Sequence, residues 1–334
     1  MNKLTAKDFK RGIRVVKSQL TDFDNYPVYQ NSLKPLGFYS KYNVKANTVF
    51  VICAGAAGDI GFSNKNFWAA DDCYYLETDK YVDSKFIYYY LLSIQNDIKR
   101  QVRQASVPRL GSDVLKSITL PSVSDNKQQE IVKILDSFTN LIDALNEELS
   151  LRQKQFEYYR EKLLNSNECS NTEKLQYFAK IMNGKDHKHL GKGQIPLMGS
   201  GGIMGYVDSY LYDKKSVLLP RKGSIDKVYY IEEPFWTVDT LYWTKIDEKK
   251  IIPKFIYYFL SSIHIENYAL KGGIPSMTQS ILYNIDVPYI DKDLQKSIVE
   301  KLDAFESLIA SLKEEIALRQ KQYEYYREKL LTFD

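Results

Sequence analysis

Fourteen residues occur twice in this chain. LRQKQFEYYREKLL fills 151–164 and LRQKQYEYYREKLL fills 318–331, differing only at Phe156 against Tyr323. Shifting the 334-residue sequence on itself by 167 positions, half its length, extends the match without a gap over 118–164 and 285–331. Pro121 then falls on Pro288, Gln128 on Gln295, Asp136 on Asp303 and Phe138 on Phe305. Further upstream the match weakens but persists. KFIYYYLLSI (85–94) recurs as KFIYYFLSSI (254–263), NFWAADDCYYL (66–76) resembles PFWTVDTLYWT (234–244), and Val107-Pro108 falls on Ile274-Pro275. The whole chain is therefore read as a tandem duplication. Each copy is a variable front part (1–122 and 168–289) followed by a near-constant tail (123–167 and 290–334).

The tail reads as one long helix. Ile131, Leu135, Phe138, Ile142, Leu145, Leu149, Arg152, Phe156, Tyr159 and Leu163 follow one another in alternating steps of four and three. So do Ile298, Leu302, Phe305, Ile309, Leu312, Ile316, Arg319, Tyr323, Tyr326 and Leu330. A heptad sustained this long, with charged flanks, predicts a coiled coil, and two such helices in one chain can pair with each other. Antiparallel pairing would relate the copies by a pseudo-two-fold axis. The alternative is two separate amphipathic helices, each packed on its own domain. Pro121 and Pro288 stand where a helix starts readily and is not continued from upstream. At 1.5 Å per residue, 131–163 would span roughly 50 Å.

The front parts read as mixed α/β. TVFVICA (48–54), CYYLET (73–78), SVLLP (216–220) and KVYYIE (227–232) have strand composition, AGAAGDIG (54–61) and GSGGIMG (199–205) read as turns, and the repeated KFIYYYLLSI suits a short helix. Catalytic signatures are sparse. No Walker A pattern and no Asn-Pro-Pro-Tyr-like motif occurs. Asp83-Ser84-Lys85, Asp186-His187-Lys188 and Asp247-Glu248-Lys249 carry the Asp-x-Lys spacing of some nucleases, but such triplets arise by chance in a chain rich in both residues. His187 and His189 have no third ligand spaced to help them and read as a surface loop.

Composition narrows the setting. Forty-six basic against 42 acidic residues give a net charge of +4, which permits nucleic-acid binding without demanding it. No run of 18 apolar residues and no apolar secretory leader is present, so neither membrane insertion nor export is expected. Cys53, Cys73 and Cys169 are scattered, without a CxxC pair, so no disulfide framework or zinc site is expected, and a reduced, cytoplasmic protein is.

The order of parts resembles the specificity subunit of type I restriction–modification enzymes. RKGSIDKVYYIEEPFW (221–236), KFIYYFL (254–260), GGIPSMTQSILYNIDVPYI (272–290) and the following Gln295, Ile298 and Val299 carry the likeness, together with two front parts each followed by a long helix. In the first copy the Arg-Lys-Gly-Ser-Ile segment is replaced by CAGAAGDIG. The resemblance implies two target-recognition domains on an antiparallel coiled coil, and a subunit that is not itself an enzyme. It would read a bipartite site in double-stranded DNA and recruit two methylation subunits and, through them, restriction subunits. S-adenosylmethionine, ATP and magnesium would belong to those partners. A recognition subunit of a methyltransferase without restriction partners, or a coiled-coil scaffold that binds only proteins, are the competing readings.

Within that resemblance, the loop before the Pro-containing strand faces DNA. In this chain that is KRQVRQASVPRLGSD (99–113) and LKGGIPSMTQS (270–280), whose donors include Arg103, Gln104, Ser106, Arg109, Lys271, Ser276 and Gln279. Arg221, Lys222, Ser224 and Lys227 of the RKGSIDK segment join them. Base edges and phosphates are read by such donor side chains. The tails pose a separate question, because positions outside the heptad seam repeat as well. Gln153, Lys154, Gln155, Glu157, Tyr158, Arg160, Glu161 and Lys162 read as outward-facing, and Gln320, Lys321, Tyr325 and Arg327 are among their copies. One partner docking twice would keep such a surface the same. A recent duplication or conversion of the tail alone would leave the same pattern.

Overall fold

A computed structural model describes residues 9–21, 26–78, 82–165, 169, 171–269 and 275–333. The chain forms two units whose boundaries fall within the long tails rather than at the end of the first repeat. The first comprises 1–146 with 314–334, the second 147–313.

In the first unit, β1 (Phe9–Arg11), β2 (Tyr26–Tyr29), β3 (Gly37–Tyr39), β4 (Thr48–Ile52), β5 (Ile60–Ser63), β6 (Trp68–Ala69) and β7 (Cys73–Leu76) precede α1 (Ser84–Ser93), α2 (Gln95–Arg100) and α3 (Ser112–Ser117). One antiparallel sheet has the order β1-β7-β4-β5, and a smaller one the order β3-β2-β6 with β2 and β6 parallel. TVFVI takes the centre of the main sheet because all five of its side chains are apolar or small, and all five are buried. The repeated FIYYYLL segment is α1, which sends Phe86, Ile87, Tyr89 and Leu91 into the core. Asp83 begins this helix, its carboxylate accepting from the Lys85 amide at 2.7 Å. The first Asp-x-Lys triplet is thus a helix cap.

The second unit repeats the plan. It contains β8 (Thr172–Lys174), α5 (Leu175–Phe178), β9 (Ala179–Asn183), β10 (Lys192–Gly199), β11 (Gly202–Val207), β12 (Ser216–Pro220), β13 (Tyr229–Ile231), β14 (Trp236–Thr237) and β15 (Leu241–Ile246). α6 (Pro253–Ser262), α7 (Gln279–Tyr283) and β16 (Asp286–Pro288) complete it. The order β13-β12-β15-β9 matches β5-β4-β7-β1, and β11-β10-β14 matches β3-β2-β6. GSGGIMG, expected as a turn, is only partly one. Its glycines Gly199 and Gly202 end and begin paired strands, and the reversal takes Ser200 and Gly201.

Both tails are unbroken 40-residue helices, α4 (Asp125–Leu164) and α8 (Lys292–Leu331). In the first unit, the start of α4 lies with the end of α8. Ile131 and Leu135 share a core with Tyr323 and Leu331, and the ring of Phe138 stacks on that of Tyr326 with centroids 5.4 Å apart. In the second unit, the end of α4 lies with the start of α8. Leu164 shares a core with Ile298 and Leu302, and Tyr159 stacks on Phe305, again at 5.4 Å. Among the described residues no helix is long and apolar enough to cross a membrane.

The polar matches between the copies have structural causes. Gln128 and Gln295 are buried. Gln128 accepts from the Asp83 amide at 2.9 Å and donates to the Val123 carbonyl at 2.8 Å. Gln295 does the same for the Ile252 amide and the Ile290 carbonyl, at 2.8 and 2.9 Å. Each glutamine therefore satisfies a backbone group at the start of the short helix and another ahead of the long one. Asp136 receives the Tyr89 hydroxyl at 2.6 Å and the Lys85 ammonium at 2.8 Å. Asp303 receives Tyr258 and Lys254 at the same two distances. Burial, reinforced by the carboxylate that each phenol donates to, drives both tyrosine pKa values well up, so these phenols stay protonated donors. Replacing Gln295 by Ala leaves a buried amide and carbonyl unmatched and should lower the stability of the second unit by about 1–3 kcal/mol. Chemical denaturation of the purified variant checks this, and an unchanged midpoint and slope would contradict it.

Candidate nucleic-acid interface

In each unit the central strand runs out into a glycine turn that pairs with the Pro-containing segment. In the second unit the Arg221 amide donates to the Thr240 carbonyl (3.0 Å), the Met277 amide donates to the Arg221 carbonyl (2.8 Å), and Lys222 bridges Ser276. In the first unit the Cys53 amide donates to Asp72 (2.8 Å), the Leu110 amide to Cys53 (2.8 Å), and Ala54 bridges Arg109. Gly55 and Gly223 hold the corresponding turns at φ +79° and +89°, a region where a β-carbon is strained. A side chain at Gly223 would also meet Ser200 Oγ at 2.8 Å. The loop backbone is therefore kept where the side chains have changed from Arg-Lys to Cys-Ala.

The side chains on this frame differ between units. In the first, Arg103 and Arg109 exchange backbone hydrogen bonds (2.9 and 3.1 Å) and close a loop on which Arg103, Gln104, Ser106 and Arg109 are all exposed. In the second, Lys222 and Lys227 are exposed, while Arg221, Ser224, Ser276 and Gln279 are half-buried. Arg221 lies over the Tyr242 ring (5.8 Å) and donates to the Asp239 carbonyl (3.2 Å), and Lys222 Nζ binds the Asp239 carboxylate at 2.7 Å. That hydrogen bond holds Asp239 below the usual carboxylate range. Gln279 donates to the Asn183 side chain at 3.3 Å. Lys271 lies outside the described residues.

Sequence reasoning missed a neighbouring cavity of about 750 Å³ in the second unit, lined by Lys185, His187, Lys188, Ser200, Met204 and Asp239 among others. The His-Lys-His segment read as a plain surface loop forms part of this wall, and His189 packs edge-on against Trp236 at 5.7 Å. The signal available was the adjacency of basic residues to a glycine-rich stretch. What joins them is the segment around β14, where the Lys185 amide donates to the Thr237 carbonyl (2.8 Å) and the Val238 amide to the Met198 carbonyl (3.0 Å).

On the tails, Gln153, Lys154, Tyr158, Gln320, Lys321 and Tyr325 are exposed. Tyr158 is 57% and Tyr325 59% exposed, each set edge-on against the next tyrosine (5.3 and 5.4 Å) with a lysine, Lys162 or Lys329, near its ring. Leu151 and Leu318, seven positions before these tyrosines, are 58% and 61% exposed. Arg160 and Arg327, expected to face outward, are only half exposed. Their guanidinium groups fold back over the rings of Phe156 and Tyr323, four positions earlier, at 5.4 Å in both copies. Gln155 is likewise half-buried, accepting from Arg152 at 3.0 Å.

The family model of the type I restriction modification DNA specificity domain matches this chain twice, over residues 6–151 and 156–318. The chain belongs to the type I restriction–modification specificity subunit family. An Escherichia coli type I restriction enzyme specificity subunit is 31% identical over 296 residues, covering 75% of this chain and 70% of the relative. A Haemophilus influenzae protein assigned as a type I restriction enzyme specificity subunit is 29% identical over 354 residues, 95% of this chain and 91% of its own length. The crystal structure of a type I restriction–modification S subunit from M. genitalium has the same fold, with a TM-score of 0.73 at 22% identity over 100% of this chain and 96% of that one. Two DNA specificity domains follow each other in this chain, each of mixed α/β structure.

Proposed function

We propose that this chain is the non-catalytic subunit that gives a type I restriction–modification enzyme its DNA sequence preference. The first unit reads one half of a bipartite target through the loop bearing Arg103, Gln104, Ser106 and Arg109. The second reads the other half through Arg221, Lys222, Ser224, Lys227, Ser276 and Gln279. The long helices pair as an antiparallel coiled coil that sets the unread spacer, a reading supported by the Phe138–Tyr326 and Tyr159–Phe305 stacks. The observation that carries the proposal is one loop backbone, with matching hydrogen bonds and matching positive-φ glycines, bearing different side chains in the two units. A shared frame with divergent donors is what two readers of different bases require. Mapping methylated bases in cells that express the chain with its methylation subunit tests it. A split motif supports the proposal, and a continuous motif or no methylation overturns it.

The same proposal assigns the exposed rung of Leu151, Lys154 and Tyr158, and its copy Leu318, Lys321 and Tyr325, to two docked methylation subunits. Restriction subunits join through them, and S-adenosylmethionine, ATP and magnesium act in those partners. Exposed tyrosines are frequent anchors of interfaces, where truncation costs about 2 kcal/mol or more. Tyr158→Ala should therefore weaken one docking event by roughly 30-fold. Tyr158→Ala with Tyr325→Ala should weaken both, with the circular dichroism spectrum unchanged. Co-purification at the original stoichiometry from dilute lysate would contradict the assignment.

A further inference from the structure

The second unit presents Arg221 at the end of its central strand, and the first has Cys53 there, 6% exposed and without charge. Burial, then the neighbouring Asp72 carboxylate, push this thiol up to about 12, while the nearby positive charge of Arg11 acts in the opposite direction. Arg11 comes from a different strand. It is the last residue of β1 and pairs with Tyr74 of β7, as Asn183, the last residue of β9, pairs with Tyr242 of β15. Gly12 and Gly184 follow, each packed so closely on a carbonyl that an added β-carbon would stand about 2 Å from it (2.1 Å from Ala70 and 2.0 Å from Val238). The main-chain trace is thus the same through this corner, and Arg11 takes the place of the asparagine that holds Gln279.

The Arg11 side chain then converges on the point that Arg221 reaches in the other unit. Arg11 Nε donates to the Asp71 carbonyl at 2.8 Å, and Arg221 Nη1 donates to the Asp239 carbonyl at 3.2 Å. Asp71 and Asp239 are equivalent, because each lies two residues before the carbonyl that accepts from the corner glycine, Cys73 for Gly12 and Leu241 for Gly184. The bond to Asp71 uses Nε, so it does not consume the terminal nitrogens, and the residue is exposed. A guanidinium held by one backbone acceptor keeps a fork of donors for a phosphate or for the O6/N7 edge of guanine.

We propose that Arg11 is a DNA-contacting residue of the first recognition domain, supplying from the first strand the cation that Arg221 supplies from the central strand of the second. The inference rests on the DNA-reading function proposed above. The test uses the full chain bound to its methylation subunit, and labelled duplexes carrying the motif mapped by methylation, with either half-site scrambled. Arg11→Ala should weaken binding by about tenfold or more, and Arg221→Ala serves as the comparison in the other unit. If the loss disappears when the first half-site is scrambled, Arg11 reads a base there. If it persists on every duplex and the salt slope falls by about one, Arg11 holds a phosphate. Arg11→Gln keeps a donor for Asp71 without the charge. Wild-type melting with weakened binding in that variant supports a direct contact even if Arg11→Ala unfolds. Wild-type affinity of Arg11→Gln, or a loss confined to the second half-site, overturns the inference while the DNA reading stands. Failure of the unaltered complex to bind any duplex overturns both.

Discussion

Residues 1–167, expressed alone, are expected to form a dimer that directs methylation to an inverted repeat of the first half-site. The first unit is incomplete without the end of α8. Tyr323 and Leu331 belong to the core that contains Ile131, Leu135 and Phe86, and Phe333 rests against Phe86 and Tyr90. Removing α8 uncovers that apolar seat, and each large side chain left in water costs about 1.5–3 kcal/mol. The fragment carries near-identical replacements. Phe156, Leu163 and Leu164 of one copy can fill the seat of another, as Tyr323, Leu330 and Leu331 do in the intact chain. Exchange in both directions gives a closed two-fold dimer, and two-fold proteins read two-fold sites. The unread spacer should match that of the intact chain, because the helix is unaltered. Loss of covalent linkage makes assembly concentration-dependent. Light scattering and methylation mapping decide the matter. A fragment that is monomeric at about 10–50 µM, or a dimer that methylates a non-palindromic site, would sink the prediction.

Arg109→Ala should alter recognition of the first half-site alone, and Gln279→Ala that of the second alone, each by about 1–3 kcal/mol against the correct base pair. The expectation follows from the two frames being alike in backbone and separate in residues. Arg109 projects from the loop closed by Arg103, and Gln279 from the start of α7 beside Asn183. Base-by-base competition assays on each half-site measure the effect. A change in both half-sites from one substitution would be incompatible with two independent readers.

The long helices were legible because a three-four repeat is local. The ten seam positions of each tail can be read by counting, and Leu141 and Leu151, which break the count, are exposed. SVLLP, read as a strand from its local composition, is one, and the structure adds that all five of its residues are buried. What counting could not supply was the partner of each helix end. Tyr323 completes a core built from residues about 190–310 positions earlier in sequence, and its close likeness to Phe156 gives no sign of which core each enters. Arg160 was misjudged as outward although its aromatic partner stands one helical turn before it, because heptad position alone does not describe where a long side chain folds back. Arg11 was hidden by register. The copies are offset by 167 positions in the tails, but Arg11 answers to Asn183, an offset of 172, so a gapless comparison sets the wrong residues side by side. The Arg-Lys loop likewise reads as replaced in the first copy because its chemistry changed, whereas Gly55, which keeps its backbone, is one residue in a glycine- and alanine-rich run.

The buried glutamine and the aspartate clamp have a consequence for inheritance. Lys85 and Tyr89 on Asp136 are chemically the same attachment as Lys254 and Tyr258 on Asp303, and Gln128 and Gln295 hold the same kind of backbone groups. A front part that fits one helix therefore carries the residues needed to fit the other. The repeated tails also supply matching stretches at which coding sequences can cross over. One such exchange would pair recognition domains in a new combination while every clamp residue remained in place, so a lineage could replace one half of its DNA preference in a single event without passing through a poorly folded intermediate. Point substitution in the reading loops offers no such shortcut, since each altered donor loses its old base before a new one is gained.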